Sequence, residues 1–460
     1  MSELSEKLLS KKESVYKQAD SALIKEIYDY AEGYKAFLDA AKTEREAVDE
    51  VVAMLDKHGY KSYEFGDKIT AGGRYYYQNR GKCIYIFRVG TADVAKDGMR
   101  IVASHIDSPR LDLKQVPVYE DSEMCFFKTH YYGGIKKYQW TALPLALHGV
   151  IVLADGTSVK ISVGEEESDP VFYINDLLPH LSQGQNSKPL GEAIPGENLN
   201  ILVGGCPLAG EEGDAIKLNV LNILNEKYGI TEADFLSAEI SAVPAFKARD
   251  IGFDRALIGG YGHDDRVCSY PAVTALLDSN DTVHTSIVVL ADKEEIGSDG
   301  NSGMQAIVLE DLMDAICEDL GANRMAARNH SICLSADVNA AFDPNFREVY
   351  ERANSAVLSC GTTMSKYTGS RGKGGSNDAS AEFVGYVRRL FDANGVAWQS
   401  SELGKVDQGG GGTVAKYISK LNIDVVDIGV PVISMHAPYE VVSKADLYMT
   451  YRAFCVFIEK

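Results

Sequence analysis

The fold class is decided by residues 285–338, which read TSIVVLADKEEIGSDGNSGMQAIVLEDLMDAICEDLGANRMAARNHSICLSADV. Two short apolar runs, TSIVVLAD at 285–292 and SICLSADV at 331–338, are typical of buried strands. Between them, AIVLEDLMDAICEDL has the apolar spacing of an amphipathic helix. Strands and helices alternate in this way from about residue 246 to the end of the chain. The pattern therefore predicts an α/β fold with a mixed, largely parallel sheet flanked by helices.

The middle of the chain has a different character. Residues 143–164 read LPLALHGVIVLADGTSVKISVG, and a polar stretch rich in glycine and proline follows at 182–200. Strand-like runs with long loops predict a β-rich unit. We therefore expect a discontinuous α/β domain of residues 1–112 and 246–460, with a β-rich domain of residues 113–245 inserted into it.

Composition excludes several classes of protein. The 460 residues carry 66 acidic and 46 basic side chains, a net charge of −20, so a nucleic-acid binder with its basic face is not expected. The sequence contains no apolar run of membrane-spanning length and no secretory signal, which predicts a cytoplasmic protein without membrane partners. The eight cysteines form no CxxC pair, so a metal site would be built from His, Asp and Glu.

Candidate reactive side chains follow the apolar runs. In α/β sheets, ligands bind beyond the carboxyl ends of the strands. A buried cluster of unpaired acids is costly, and a pair of divalent cations would neutralise it. The strand ends and one loop before a helix supply these residues: His105, Asp107, Asp264, Asp265, Glu294, Glu295, Asp337 and His436.

Each motif also has a structural interpretation. A lone His105 could be an ordinary buried histidine, and Asp264 and Asp265 could cap the following helix. Neighbouring residues of an extended chain face opposite sides, so one of Glu294 and Glu295 could bind metal while the other takes a proton. Together, five groups at five strand or loop ends favour a metal-dependent hydrolase.

Two glycine-rich segments resemble phosphate-binding loops. GGGGT at 409–413 and GSRGKGGS at 369–376 both lack the Lys-Ser/Thr ending of a P-loop. Either loop could present backbone N–H groups to a substrate, and Gly410 is a candidate substrate-binding residue.

Five motifs occur in a characteristic order: SHIDSPRLDLK, GYGHDDRVCSY, ADKEEIGSDG, SADVNAAFDPNF and ISMHAPYE. In this order they resemble the aspartyl aminopeptidase family of dinuclear zinc metallopeptidases, metallopeptidase family 18, in its bacterial aminopeptidase 1 branch. The resemblance covers nearly the whole chain and implies that the α/β domain is the catalytic one. It implies two divalent metal ions per subunit, with zinc as the default and cobalt or manganese as alternatives.

The resemblance also assigns roles to residues. It implies that Glu294 is the general base, that Asp107 orients His105, and that Asp264 bridges the two metals. Eukaryotic members carry Asn where this chain has Asp265, so Asp265 stays open as the alternative bridge. The implied ligands are His105, Asp264, Glu295, Asp337 and His436.

The implied activity is removal of the N-terminal residue of peptides, either acidic or neutral. An acidic preference would need a cation in the specificity pocket, and Lys366, Arg371 and Lys373 are the candidates. By resemblance, the inserted domain forms a dimer contact and lends His180 to the neighbouring active site, and dimers assemble into a tetrahedral dodecamer. Two alternatives stay open: a dinuclear hydrolase acting on an N-acyl amino acid or a glycan, and a non-catalytic self-assembling shell protein.

Overall fold

Three β-sheets organise the protein. The computed structural model describes residues 3–10, 12–280 and 283–460. The strands are β1 Lys61–Ser62, β2 Arg74–Asn79, β3 Cys83–Arg88, β4 Met99–His105, β5 Arg110–Asp121, β6 Met124–Tyr132, β7 Leu145–Val152, β8 Ser158–Val163, β9 Tyr173–Ile174, β10 Ile201–Gly204, β11 Ala238–Pro244, β12 Arg249–Ile251, β13 Leu257–Gly260, β14 Thr285–Ala291, β15 Ile332–Ala336, β16 Asn339–Ala340, β17 Thr362–Ser365, β18 Trp398–Ser400, β19 Asp424–Gly429, β20 Pro431–Ile433 and β21 Glu440–Ser443.

The largest sheet has nine strands in the order β1-β2-β3-β14-β4-β15-β19-β17-β18. Its centre is parallel, because β14 and β15 both run parallel to β4 and β19 runs parallel to β15. Antiparallel pairs flank this centre, between β3 and β14 and between β17 and β19. The predicted α/β fold with a mixed, largely parallel sheet is confirmed.

Helices cover both faces of this sheet. The helices of the described residues are α1 Glu3–Leu8, α2 Val15–Gln18, α3 Ser21–Ala40, α4 Glu44–Lys57, α5 Val94–Asp97, α6 Gln183–Asn186, α7 Leu190–Ala193, α8 Ala215–Tyr228, α9 His263–Asp278, α10 Val308–Leu320, α11 Arg324–His330, α12 Ala381–Ala393, α13 Ala415–Ile418 and α14 Lys444–Glu459. Of these, α6, α7 and α8 lie between β9 and β11, in the segment of the second sheet. Within the described residues, no helix is both long and apolar enough to cross a membrane.

Strand β14 shows why its sequence is an unbroken apolar run. Val288 and Leu290 pack into the core beneath α3, α4, α9 and α14, whereas Ile287 and Val289 pack into the core beneath α10 and α11. A strand buried on both faces needs apolar side chains at every position, which is typical of the centre of a parallel sheet.

The second sheet has seven strands in the order β8-β7-β11-β5-β6-β10-β9. All of its pairs are antiparallel, and its strands lie between residues 110 and 244. Its side chains form a separate apolar core with α8. We propose that residues 113–245 form an inserted domain between the catalytic segments 1–112 and 246–460, and this separate core supports that division.

A buried histidine joins the two sheet systems. His148 on β7 lies with Nδ1 2.7 Å from Glu46 Oε1 on α4 and Nε2 3.1 Å from Glu165 Oε1. Burial lowers the pKa of His148, but the hydrogen bonds with Glu165 and Glu46 outweigh this effect, and the pKa is raised. The imidazolium therefore connects α4 to the seven-stranded sheet.

All eight cysteines are free thiols. Six are buried and Cys455 is half-buried, as expected for side chains that pack as small apolar groups. Cys206, between β10 and α8, is exposed.

Candidate metal centre and active site

The central parallel strands bring the predicted reactive residues together. Register pairs Ala291 at the end of β14 with His105 at the end of β4. Glu294 and Glu295 follow β14 in a short 3-10 helix, and Asp337 directly follows β15 on the other side of β4. Because these strands are parallel, their carboxyl ends meet at one edge.

Asp264 lies between two imidazoles at this edge. Its Oδ1 is 3.2 Å from Nε2 of His105, and its Oδ2 is 3.2 Å from Nε2 of His436. Both oxygens of one carboxylate therefore point at ring nitrogens, one at the end of β4 and one in the turn between β20 and β21. This is the arrangement that a carboxylate bridging two cations requires.

Each imidazole has a further carboxylate beside it. Asp337 Oδ1 lies 3.9 Å from His105 Nε2, and Glu295 Oε2 lies 3.4 Å from His436 Nε2. The structure thus brings together all five residues predicted as ligands. They form two groups that share Asp264: His105 with Asp337, and His436 with Glu295.

Asp265 is fully buried next to the same cluster. Its Oδ2 accepts a hydrogen bond from the backbone N–H of His105 at 3.4 Å, and the peptide bond between Asp264 and Asp265 is cis. It forms a compact group with His105 and Asp337. It has no close contact with His436 among the described residues, so the geometry favours Asp264 over Asp265 as the bridge.

Asp107 holds three parts of the site in place. Its Oδ1 lies 3.3 Å from Nδ1 of His105 and accepts the backbone N–H of Glu294 at 3.1 Å. Its Oδ2 accepts the backbone N–H of Glu295 at 3.1 Å. A carboxylate behind an imidazole fixes the ring orientation, and here it also fixes the backbone that carries both glutamates.

Glu440 is a site residue without a predicted role, although it ends the motif ISMHAPYE. It is buried, and its two oxygens accept the backbone N–H groups of Asp264 at 3.1 Å and of His436 at 2.7 Å. Glu440 therefore joins the two segments that carry the central carboxylate and one imidazole. Because Glu440 binds backbone groups, which every residue has, its partners cannot be recognised from the sequence.

Burial dominates the electrostatics of the cluster. Burial and neighbouring carboxylates raise the pKa of Glu295 and of Asp337 well above the ordinary value. Burial also raises the pKa of Asp264, but hydrogen bonds with His105 and His436 outweigh this effect, and the pKa is lowered. Burial lowers the pKa of His436, but the hydrogen bond with Asp264 outweighs this effect, and the pKa is raised to about 10.

The donor set fits divalent cations. Glu295 Oε1 and Asp265 Oδ1 are buried without a hydrogen-bond partner among the described residues. Unpaired buried carboxylate oxygens are costly, and cations would compensate several of them together. Imidazole with carboxylate suits zinc, and manganese or cobalt can use the same ligands.

A cavity of about 460 Å³ opens onto this cluster. Its walls include Glu294, the glycines of residues 410–412 and a pair of residues without a predicted role, Lys416 and Tyr417. Burial and the charge of Asp107 raise the pKa of Glu294 to about 7, although His105 opposes the shift. Gly410 thus lies on the cavity wall, as a residue that contacts substrate must.

The three cations predicted to bind an acidic substrate lie elsewhere. Lys366 and Lys373 both pair with Asp378, at 2.9 and 3.1 Å. Arg371 and Lys373 line a small adjoining pocket, and none of the three is among the described residues that line the main cavity. Lys416 is the lysine among the described residues that line that cavity.

His180 lies outside this cavity. It is exposed, in the short 3-10 helix Pro179–Leu181 that follows β9 of the seven-stranded sheet. Its role in the active site of a neighbouring subunit stays a prediction.

The fold and site define a class of protein, the metal-dependent hydrolases in which imidazoles and carboxylates gather at the edge of an α/β sheet. Residues 37–458 match the family model described as Aminopeptidase I zinc metalloprotease (M18), and the chain belongs to this family. The chain is 47% identical over 461 residues to a probable M18 family aminopeptidase 1 from Clostridium acetobutylicum, over 98% of this chain and 99% of the relative.

Solved structures of M18 family aminopeptidases are similar to this chain. The crystal structure of an M18 family aminopeptidase from Thermotoga maritima has a TM-score of 0.93 and 44% identity, and the match covers 98% of this chain and 100% of that one. A more distant neighbour, the mApe1 dodecamer of S. cerevisiae, has a TM-score of 0.76 at 22% identity, over 93% of this chain and 96% of that one; this likeness extends to the fold alone. The predicted family and the aminopeptidase activity are confirmed, in preference to a hydrolase of another bond or a non-catalytic shell.

Proposed function

We propose that this aminopeptidase works with two divalent cations, held by His105, Asp264, Glu295, Asp337 and His436. The observation that carries the proposal is the position of Asp264, whose two carboxylate oxygens each lie 3.2 Å from a different imidazole. Asp337 lies beside His105 and Glu295 lies beside His436. These pairs support two groups of ligands that share Asp264. Zinc is the proposed metal, because the family is one of zinc metalloproteases.

Zinc bound there would lower the pKa of an attacking water and polarise the scissile carbonyl. Glu294 is the proposed general base. Its side chain lines the cavity beside the proposed ligands, where a carboxylate could accept a proton from the attacking water and return it to the leaving amine. Asp107 holds the backbone of Glu294 in position by accepting its N–H.

The proposed substrates are peptides with a free N-terminus. Carboxylates crowd the inner end of the cavity, and a protonated or metal-bound α-amino group would be accommodated there. This arrangement would explain why the enzyme removes only the first residue. For the residue preference, Lys416 is a better candidate than Lys366 or Lys373, because it lines the cavity while those two pair with Asp378.

The proposed assembly is a dimer built through the inserted domain, with dimers forming a tetrahedral dodecamer. A dodecameric neighbour of the same fold supports oligomerisation. In this assembly His180 would reach the active site of the adjoining subunit, for which its exposed position is suitable. The cytoplasmic location stays a prediction.

Metal analysis combined with assays on Asp-, Glu- and Leu-terminated substrates tests the proposal. We expect two metal ions per chain, loss of activity with chelator, and restoration by zinc. A K416M variant should lose activity on Asp and Glu substrates while keeping activity on Leu substrates. A fully active enzyme with at most one ion per chain would contradict the dinuclear centre.

A further inference from the structure

The inserted sheet reaches the candidate metal centre of its own chain. Strand β6 ends at Tyr132, whose hydroxyl donates a hydrogen bond to Asp107 Oδ2 at 2.8 Å. Two residues later, the carbonyl oxygen of Gly134 lies 2.8 Å from Nδ1 of His436. Residues 132–134 therefore touch the site at two places, one at Asp107 and one at His436.

The contact with His436 fixes which ring nitrogen carries a proton. A carbonyl oxygen can only accept, so Nδ1 of His436 must donate. In the neutral ring this leaves the lone pair on Nε2, the atom that faces Asp264 and Glu295. A second-layer hydrogen bond of this kind sets the tautomer of a metal-binding histidine.

The contact with Asp107 completes a set of donors. Asp107 already receives the backbone N–H groups of Glu294 and Glu295 and lies beside Nδ1 of His105. Tyr132 supplies the remaining donor, and it comes from the other sheet. The orientation of the Asp107 carboxylate, and through it the backbone of both glutamates, thus depends on a hydroxyl of the inserted domain.

Tyr132 packs against a buried arginine. The guanidinium carbon of Arg110 lies 4.1 Å from the centre of its ring, a cation–π distance. Arg110 is itself buried, with Nη1 3.0 Å from Glu44 Oε2 on α4 and Nε 2.8 Å from Asp112 Oδ1. The ring therefore packs on a guanidinium that forms ion pairs with both α4 and β5.

We propose that Tyr132 is a positioning residue for the metal centre, acting through Asp107 from within the same chain. This rests on the proposed dinuclear centre. The inserted domain would then be part of each active site in cis, in addition to its proposed part in the dimer contact. A purely structural Tyr132 would matter only for packing against Arg110.

A Tyr132→Phe variant separates these two roles. Phenylalanine keeps the ring beside Arg110 and removes only the hydroxyl. The matched control is Tyr131→Phe, because Tyr131 precedes it on β6, is exposed, and points to the opposite face of the strand. Both variants are compared with wild type for melting temperature, zinc retained against a graded chelator, the visible spectrum of the cobalt-substituted protein, and kcat and KM separately.

We expect Tyr132→Phe to melt close to wild type, to bind zinc about 10-fold more weakly, and to lose about 10- to 100-fold in kcat with little change in KM. Its cobalt spectrum should shift, and Tyr131→Phe should match wild type in every measurement. Wild-type zinc affinity and kcat in Tyr132→Phe would overturn the inference, as would losses that simply follow a lowered melting temperature.

An Asp264→Asn variant separates failure of this inference from failure of the proposed function. If Asp264→Asn loses metal while Tyr132→Phe behaves as wild type, only the role of Tyr132 is wrong. If Asp264→Asn keeps wild-type metal content and activity, the proposed centre is wrong, and the role of Tyr132 is overturned with it.

Discussion

Glu294→Gln is the sharpest test of the proposed chemistry, because the substitution changes charge and almost nothing else. The Glu294 side chain lines the cavity, and its carboxylate forms no ion pair within the described part of the chain. The hydrogen bond to Asp107 comes from the Glu294 backbone and survives the substitution. Glutamine also has nearly the same volume, so the fold should tolerate it.

The expected loss is that of a general base. Such a group contributes about 100- to 10,000-fold to the rate, which corresponds to about 2.7–5.5 kcal/mol of transition-state stabilisation. The loss should appear in kcat, with KM changed little, because the proposed base would act on the attacking water and not on the bound peptide. Metal content should stay at the wild-type value, since none of the proposed ligands is altered.

The assay measures kcat and KM on Leu- and Asp-anilides together with metal content by elemental analysis. Glu295→Gln is the matched control, since Glu295 lies beside Glu294 but has Oε2 3.4 Å from His436 Nε2. It should lose metal as well as activity. If Glu294→Gln loses metal and Glu295→Gln keeps it, the two roles are reversed. If Glu294→Gln keeps full kcat, it is not the base.

Three further predictions follow from the described contacts. Asp264→Asn should release metal, whereas Asp265→Asn should lose less metal. Burial raises the pKa of Asp265 well above its ordinary value, and an amide resembles the neutral acid. If elemental analysis shows the greater loss of metal in Asp265→Asn, Asp265 is the bridge. Mixing inactive His180→Ala with inactive Glu294→Gln protein should restore part of the activity after subunit exchange, because one mixed site would have both groups intact; no recovery in verified mixed oligomers contradicts a shared site. Because the pKa of His148 is raised in the folded state, its imidazolium stabilises the fold below about pH 6.5, by about 1.5–3 kcal/mol. This stabilisation disappears as the pH rises through the raised pKa, so the unfolding free energy of wild type should fall relative to that of His148→Gln. Parallel plots of unfolding free energy against pH for the two proteins would exclude this role.

The sequence predicts which reactive side chains gather at the strand ends, and it does so for a physical reason. His105, Glu295 and Asp337 each follow an apolar run, and a strand buried on both faces needs such a run. Three parallel neighbours then bring the residues after the runs to one edge. Burial in a parallel sheet causes both the apolar runs and the meeting of the strand ends, so the runs in the sequence predict which residues meet.

Other parts of the site leave no such trace. Glu440 acts on backbone N–H groups, and Gly134 acts through a backbone carbonyl, so neither depends on a recognisable reactive pattern. Tyr132 comes from a different sheet, and its contact with Asp107 depends on how the two sheets pack. No spacing within either segment encodes that contact.

The basic residues illustrate a further limit. Lys366 and Lys373 lie in the glycine-rich stretch SKYTGSRGKGG, which made them candidates for the specificity pocket. The structure pairs both with Asp378, five residues after Lys373. Lys416, which lines the cavity, lies in the short helix α13. In the sequence, nothing distinguishes it from an ordinary solvent-exposed lysine.

The single exposed thiol gives the experimenter a ready-made attachment point. Cys206 is exposed while the other seven cysteines are wholly or partly covered, so a maleimide fluorophore should attach to the wild-type chain at one position without engineering. Donor-labelled and acceptor-labelled batches, once mixed, would then report the exchange of chains by energy transfer.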